Sequence, residues 1–224
     1  MLFRSEADIT GAYAGVRPLI SLGGDEKKSV DISRKAELFE TSSGLVTITG
    51  GKLTTWRRMA KMAVDRIVER EGREAPCRTE EIPLGLPASD EDLIEVDGAD
   101  EETLALVAHR YGHAARDVLE VAEGDPGLAR RIVPELPDLL AEAPFAVRHE
   151  QALTLGDVLL RRTRLGILDA RPLAAPDSEA AHAVAEAMAP GLGWDAARVE
   201  QELREWRELA HAEGIAVGEP APAS

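Results

Sequence analysis

The run Leu45-Val-Thr-Ile-Thr49 constrains this chain most. Its β-branched residues favour extended backbone, and two adjacent glycines, Gly50-Gly51, close it. Apolar residues then recur at helical spacing, at Leu53, Trp56, Ala60, Ala63, Val64 and Ile67. The segment predicts a strand, a glycine turn and a helix that ends at Gly72. Pro76, Pro83 and Pro87 mark 71–87 as a connection between two units, with the boundary near residue 80.

Beyond that boundary strand signals nearly vanish. Asp100, Thr154, Ser178 and Asp195 each stand as an N-cap ahead of an apolar-periodic run. Thr154-Leu-Gly-Asp157 has the shape of a capping box, with an acid three residues after the cap. The last helix, from about Ala196 to Ala210, is expected to bury Val199, Leu203, Trp206 and Leu209 on one stripe. The Gly, Pro and Ala content from Val217 onward predicts a loose tail. The expected fold is α+β: strands plus one long helix in residues 1–80, an all-α domain in 81–216, and a disordered tail in 217–224.

At 224 residues the chain can bury a real core in one large domain or two modest ones, and two is our reading. Its charge is divided unevenly. Residues 1–72 hold 12 Lys/Arg against 10 Asp/Glu, whereas the remainder holds 14 against 31. The first part can receive an anionic ligand; the second would repel nucleic acid and anionic lipid. The single Cys77 excludes an internal disulfide and a cysteine-built zinc site, and it fits a reducing compartment. No stretch approaches the roughly 18 apolar residues that span a bilayer, and the first six residues lack a signal peptide's apolar core.

Thr49-Gly50-Gly51-Lys52-Leu53-Thr54-Thr55 is the segment richest in chemistry. Glycines ahead of a helix let backbone approach a ligand at the helix's positive end, where anionic or electron-rich groups bind well. Lys52 adds a full charge, and Thr54 or Thr55 can cap the helix or donate to a ligand. An ordinary β–α turn is the competing reading. Two known phosphate loops fail here. A P-loop needs Ser or Thr after the lysine, but Leu53 stands there, and Val46 occupies its upstream glycine position. The dinucleotide pattern GxGxxG fails because Gly50 and Gly51 are adjacent.

In Gly11-Ala-Tyr-Ala-Gly15-Val-Arg17-Pro18-Leu19 the proline restrains the backbone around Arg17. A guanidinium fork matches phosphate or carboxylate oxygens, so Arg17 suits an anionic substrate; a structural ion pair is the alternative. His109 and His113 stand four apart, but Gly112 between them weakens the helix and no third ligand is evident. A solvated or capping role is preferred over a metal. His149-Glu150 opens like a zinc-protease motif, yet Leu153 holds the second histidine's place. Arg161-Arg162-Thr163-Arg164 suits a helix end packed against acidic neighbours.

Three longer words carry a resemblance: TGAYAGVRPL, TITGGKLTTWRRMA and AVRHEQALTLGDVLLRRTRLG. In this order and separation they resemble the aerobic, FAD-dependent glycerol-3-phosphate dehydrogenases over most of residues 8–210. The first two look like the end of that family's flavin- and substrate-binding region, so residues 1–80 would be a partial flavin and substrate domain. The third looks like its helical C-terminal domain.

The resemblance implies oxidation of sn-glycerol 3-phosphate to dihydroxyacetone phosphate, with hydride passing to FAD and electrons onward to a quinone. Arg17 would contact the substrate, and Lys52 would lie at the edge shared by substrate and flavin. Gly50, Gly51, Leu53 and Thr54, with Lys52, would set the helix N-terminus beside the flavin pyrimidine ring, where negative charge develops on reduction. The catalytic base is not identified in these segments. The family's glycine-rich fingerprint would precede Met1, so the chain alone is expected to be inactive. A cytoplasmic location follows, or one peripheral to the inner face of the plasma membrane, and a homodimer is compatible. Two rivals stand beside this reading: a non-catalytic helical interaction or dimerisation module, motivated by the acidity beyond residue 86, and a glycerol-3-phosphate oxidase that passes electrons to oxygen.

Overall fold

β1 (Ala36–Glu40) and β2 (Val46–Gly50) pair antiparallel, with Leu38 opposite Ile48 and Glu40 opposite Val46. These coordinates come from a computed structural model that describes residues 9, 12–16 and 35–215. Thr41 closes the hairpin loop from both sides. Its N–H donates to the Leu45 carbonyl at 3.0 Å, and its hydroxyl accepts the Leu45 N–H at 3.1 Å.

A 3-10 turn, Leu53–Thr55, leads into α1 (Trp56–Arg70). Gly72 ends the helix as its position predicts. It takes the left-handed conformation, donates to the Glu69 carbonyl at 3.0 Å, and lets Arg73 reach the Val68 carbonyl at 3.1 Å. The helix docks on the hairpin through polar groups. Arg66 donates to Glu40 at 2.7 Å and Arg70 to the Gly44 carbonyl at 2.7 Å, while no residue of β1, β2 or α1 is buried.

The chain divides into two compact units, one of Gly15–Leu84 and one from Gly85 onward together with the described residues before Gly15. The second contains α2 (Glu101–Tyr111), α3 (Ala115–Gly124), α4 (Glu142–His149), a π-helical segment (Asp157–Arg162), α5 (Leu165–Leu168), α6 (Ala170–Leu173), α7 (Glu179–Leu192) and α8 (Ala196–Ala212). An isolated bridge, Arg131 to Leu139, is its one β pairing among the described residues. The α+β class with a mainly helical second part thus matches expectation. The loose tail expected from Val217 lies outside the described residues.

Three helices of this unit, α2, α7 and α8, start at side-chain N-caps, whereas α3 and α4 start at Ala114 and Ala141 without one. Asp100 accepts from Thr103 N–H at 3.0 Å, Ser178 from Ala181 at 3.2 Å and Asp195 from Arg198 at 2.8 Å. At Thr154 the box closes reciprocally: the Asp157 N–H donates to the Thr154 hydroxyl at 3.2 Å, and the Asp157 carboxylate accepts the Thr154 N–H at 3.1 Å. The helix it opens is π-helical from Asp157 onward. Thr163 causes this, because its N–H and hydroxyl both donate to the Val158 carbonyl five residues back, at 2.9 Å each.

Two apolar clusters form the core of this unit. One gathers Val107, Val118, Leu119 and Phe145 from α2, α3 and α4; the other gathers Leu155, Leu159, Leu165, Met188, Leu203 and Trp206. On α8 the expected stripe needs one correction. Val199, Leu203 and Trp206 are buried, but Leu209 is only half-buried, and Glu202 and Ala210 complete the inward face. Ala210 follows Trp206 by four residues and so continues its row more closely than Leu209 does.

Candidate functional site

The site begins at the two glycines after β2. Gly50 and Gly51 have φ of +76° and +71°, a left-handed pair that folds the chain back from the strand toward α1. A Cβ on Gly51 would fall 2.4 Å from Met59 Sδ, so the left-handed dihedral favours glycine here and any side chain would have to displace Met59.

Lys52 resumes extended backbone, at φ −138° and ψ 156°. The Thr55 hydroxyl holds it from both sides, accepting the Lys52 N–H at 3.0 Å and donating to the Lys52 carbonyl at 2.9 Å. Thr55 stands at the N-cap position of α1 but makes no side-chain cap bond to that helix. Thr55 is committed to Lys52, its one hydroxyl hydrogen already used, while Thr54 lines the cleft beside the turn.

That open cleft offers about 630 Å³ and is lined by Gly15, Val16, Thr49, Gly50, Gly51, Lys52, Leu53 and Thr54. All five residues assigned to the cofactor, Gly50, Gly51, Lys52, Leu53 and Thr54, therefore meet on one surface. Gly15 and Val16 join them from a different sequence word, immediately before Arg17. Arg17 itself lies outside the described residues. For Gly15 and Val16 the signal in the sequence is their place in the word TGAYAGVRPL, and for Thr49 its place at the end of the β-branched run.

The electrostatics favour an anion. Neither the Leu53–Thr55 turn nor the first turn of α1 carries an acidic residue, so nothing there offsets the positive helix end or the exposed Lys52 ammonium. Adjacent left-handed glycines, exposed backbone and a helix N-terminus together suit the electron-rich edge of a flat heterocycle or a phosphate.

The remaining motifs lie in the helical unit. His109 lies in the last turn of α2, and His113 lies beyond the break at Gly112, where a Cβ would come 2.3 Å from the Leu86 carbonyl. No group of three or more His, Cys, Asp or Glu among the described residues could hold a metal. Arg161 pairs with Asp157 at 3.3 Å, and Arg162 with Glu150 at 3.5 Å. His149 stacks on Phe145 with centroids 4.7 Å apart. Among the described residues no helix is long and apolar enough to cross a membrane.

Comparison with known proteins bears on the same residues. The model of the family described as the C-terminal domain of alpha-glycerophosphate oxidase matches residues 46–199. Glycerol-3-phosphate dehydrogenase 2 of Mycobacterium tuberculosis is 36% identical over 224 residues, which covers 96% of this chain and 37% of that protein. Glycerol-3-phosphate dehydrogenase 1 of the same organism is 38% identical over 165 residues, 72% of this chain and 31% of the relative. A mitochondrial glycerol-3-phosphate dehydrogenase of Arabidopsis thaliana is 34% identical over 224 residues, 90% and 34% respectively. The chain thus spans about a third of the length of the curated relatives it matches.

Proposed function

The chain belongs to the family described as the C-terminal domain of alpha-glycerophosphate oxidase, and from that premise we propose that it serves FAD-dependent oxidation of sn-glycerol 3-phosphate to dihydroxyacetone phosphate. The observation that carries this reading is the cleft in which Gly15 and Val16 meet Gly50 to Thr54. It joins two words of the resemblance at one electropositive turn.

In this reading Gly50, Gly51, Leu53 and Thr54 hold the flavin ring edge against the start of α1. Lys52 and Arg17 bind the substrate's phosphate and orient its secondary alcohol. Thr54 would have a hydroxyl available to the ring edge, and the helix N-terminus would favour negative charge there. FAD held there would supply the hydride acceptor for the alcohol carbon and the route of the electrons to quinone, and the hydroxyl proton would leave to a base outside these segments. The relatives are named dehydrogenases while the matching family is described by an oxidase, so the electron acceptor is what the test below decides.

A chimaera provides the test: this chain replaces the matching third of the Mycobacterium tuberculosis relative, and glycerol 3-phosphate oxidation is followed with a quinone and, separately, as peroxide. Turnover with quinone is expected, with a higher KM and a smaller change in kcat for both Lys52→Ala and Arg17→Ala. A chimaera that binds flavin yet gives unchanged kinetics in both variants would remove these residues from the site. Peroxide formation matching substrate loss would move the assignment to the oxidase.

A further inference from the structure

We propose that Thr55 is a positioning residue for Lys52. This inference rests on the reading of the Gly50–Thr54 cleft as an anion-receiving site, and it assigns a task to a residue outside the cleft lining.

One hydroxyl bonds both the N–H and the carbonyl of Lys52, at 3.0 and 2.9 Å, and the Thr55 N–H adds a third bond to that carbonyl at 2.9 Å. Three bonds on a single exposed residue, between two left-handed glycines and a helix, restrict both of its backbone dihedrals. The direction in which the Lys52 side chain leaves the chain is then fixed. Met59 reinforces the arrangement one helical turn on, because its thioether occupies the space that a side chain at Gly51 would need.

A lysine stem has four rotatable bonds, and an ammonium at its end loses much of its value if the backbone beneath it also moves. The neighbouring glycines give that backbone unusual freedom. Thr55 removes it. The clamp therefore acts through Lys52, and its contribution to anion binding vanishes when the ammonium is gone.

Thr55→Val removes the hydroxyl at nearly constant shape, and Thr55→Ser retains it. In the full 224-residue chain, amide hydrogen exchange at Lys52 is expected to accelerate in the valine variant and stay near wild type in the serine variant. Titration with sn-glycerol 3-phosphate, followed through the Lys52 and Thr54 amide resonances, should show affinity about five- to tenfold weaker for Thr55→Val, one hydrogen bond's worth. Serine should restore it. Adding Thr55→Val to Lys52→Ala should weaken binding no further, since both changes remove one unit.

Unchanged Lys52 exchange in Thr55→Val overturns the clamp. Faster exchange with an additive loss in the double variant overturns its action through Lys52. If the wild-type chain shows no response to glycerol 3-phosphate while exchange behaves as expected, the anion-receiving reading fails and takes the binding role of Thr55 with it; the clamp on the backbone then remains as structure alone.

Discussion

Glu202, in the middle of α8, accepts the Leu155 backbone N–H at 2.7 Å across 47 residues of sequence. Its other oxygen accepts from Arg198 on the same helix, one turn earlier. A buried carboxylate thus starts the 155–162 helical stretch from a helix far along the chain, satisfying an N-terminal N–H that the helix cannot bond itself.

Removing that acceptor leaves Leu155 N–H and Arg198 without it, so Glu202→Ala should lower stability by about 1–3 kcal/mol. Glu202→Gln keeps an acceptor and should lose less. Burial pushes the Glu202 carboxyl above its ordinary 4.5, so the folded state holds this proton more tightly than the unfolded state. Stability from this group therefore falls as pH rises above 4.5, and Glu202→Gln should lack that slope. Urea midpoints across pH for the three proteins measure both effects.

Arg110 joins two buried carboxylates, Asp138 at 2.7 Å and Glu142, whose Oε2 also accepts the Tyr111 hydroxyl at 2.8 Å. Burial pushes the Glu142 carboxyl up against the opposing pull of Arg110. Arg110→Met should cost about 3–5 kcal/mol, because it leaves both acids buried without their cation. Adding Glu142→Gln should recover part of this, since it removes one of the two buried charges while the amide oxygen can still accept the Leu139 N–H and the amide NH2 can donate to the Tyr111 hydroxyl oxygen. If the double variant is no more stable than Arg110→Met in denaturant unfolding, buried charge is not the cause.

Local signals reached the helix starts because each N-cap is written in one residue and its neighbour three positions on, as in Asp100, Ser178 and Asp195. They reached Gly72 and the Gly50-Gly51 turn for the same reason. β1 was illegible: Ala36-Glu-Leu-Phe-Glu40 has no β-branched residue and is a strand through pairing with β2. The π-helical segment was illegible too, since it depends on Thr163 returning to Val158 instead of continuing an α-helix. Glu202 carries no local signal for burial either, since its partner, the Leu155 N–H, lies 47 residues away. At the cleft, composition pointed to Lys52 and the glycines, but only the folded turn distinguishes Thr55, committed to Lys52, from Thr54, which lines the cleft.

Asp100 offers a second titration of opposite sign. It caps α2 at Thr103 and pairs with Arg131 at 2.7 Å, and these partners hold its carboxyl down at about 2, from an ordinary 3.8. A depressed value means its contribution is complete above 3.8 and is lost as pH falls toward 2. Asp100→Asn keeps an N-cap acceptor and removes the charge. Its stability deficit should be largest at neutral pH and should shrink through that acid window; a deficit independent of pH would assign the role of Asp100 to capping alone.

Gly51→Ala combines two separable penalties at the cleft. The left-handed dihedral costs a side-chain-bearing residue about 1–2 kcal/mol, and the new methyl would lie 2.4 Å from Met59 Sδ. Met59 is flexible at its tip and can move aside, but it then leaves the place it fills beneath the turn. Adding Met59→Ala should relieve the contact while leaving the dihedral strain, so it should restore only part of the loss. No residue of β1, β2 or α1 is buried, so the penalty should remain local and be poorly reported by unfolding of the helical unit. Amide exchange of Thr49, Lys52 and Thr55 is the suitable measurement, with protection falling in Gly51→Ala and partly returning in the double variant. Full recovery in the double variant would make the steric contact the sole reason for glycine at this position.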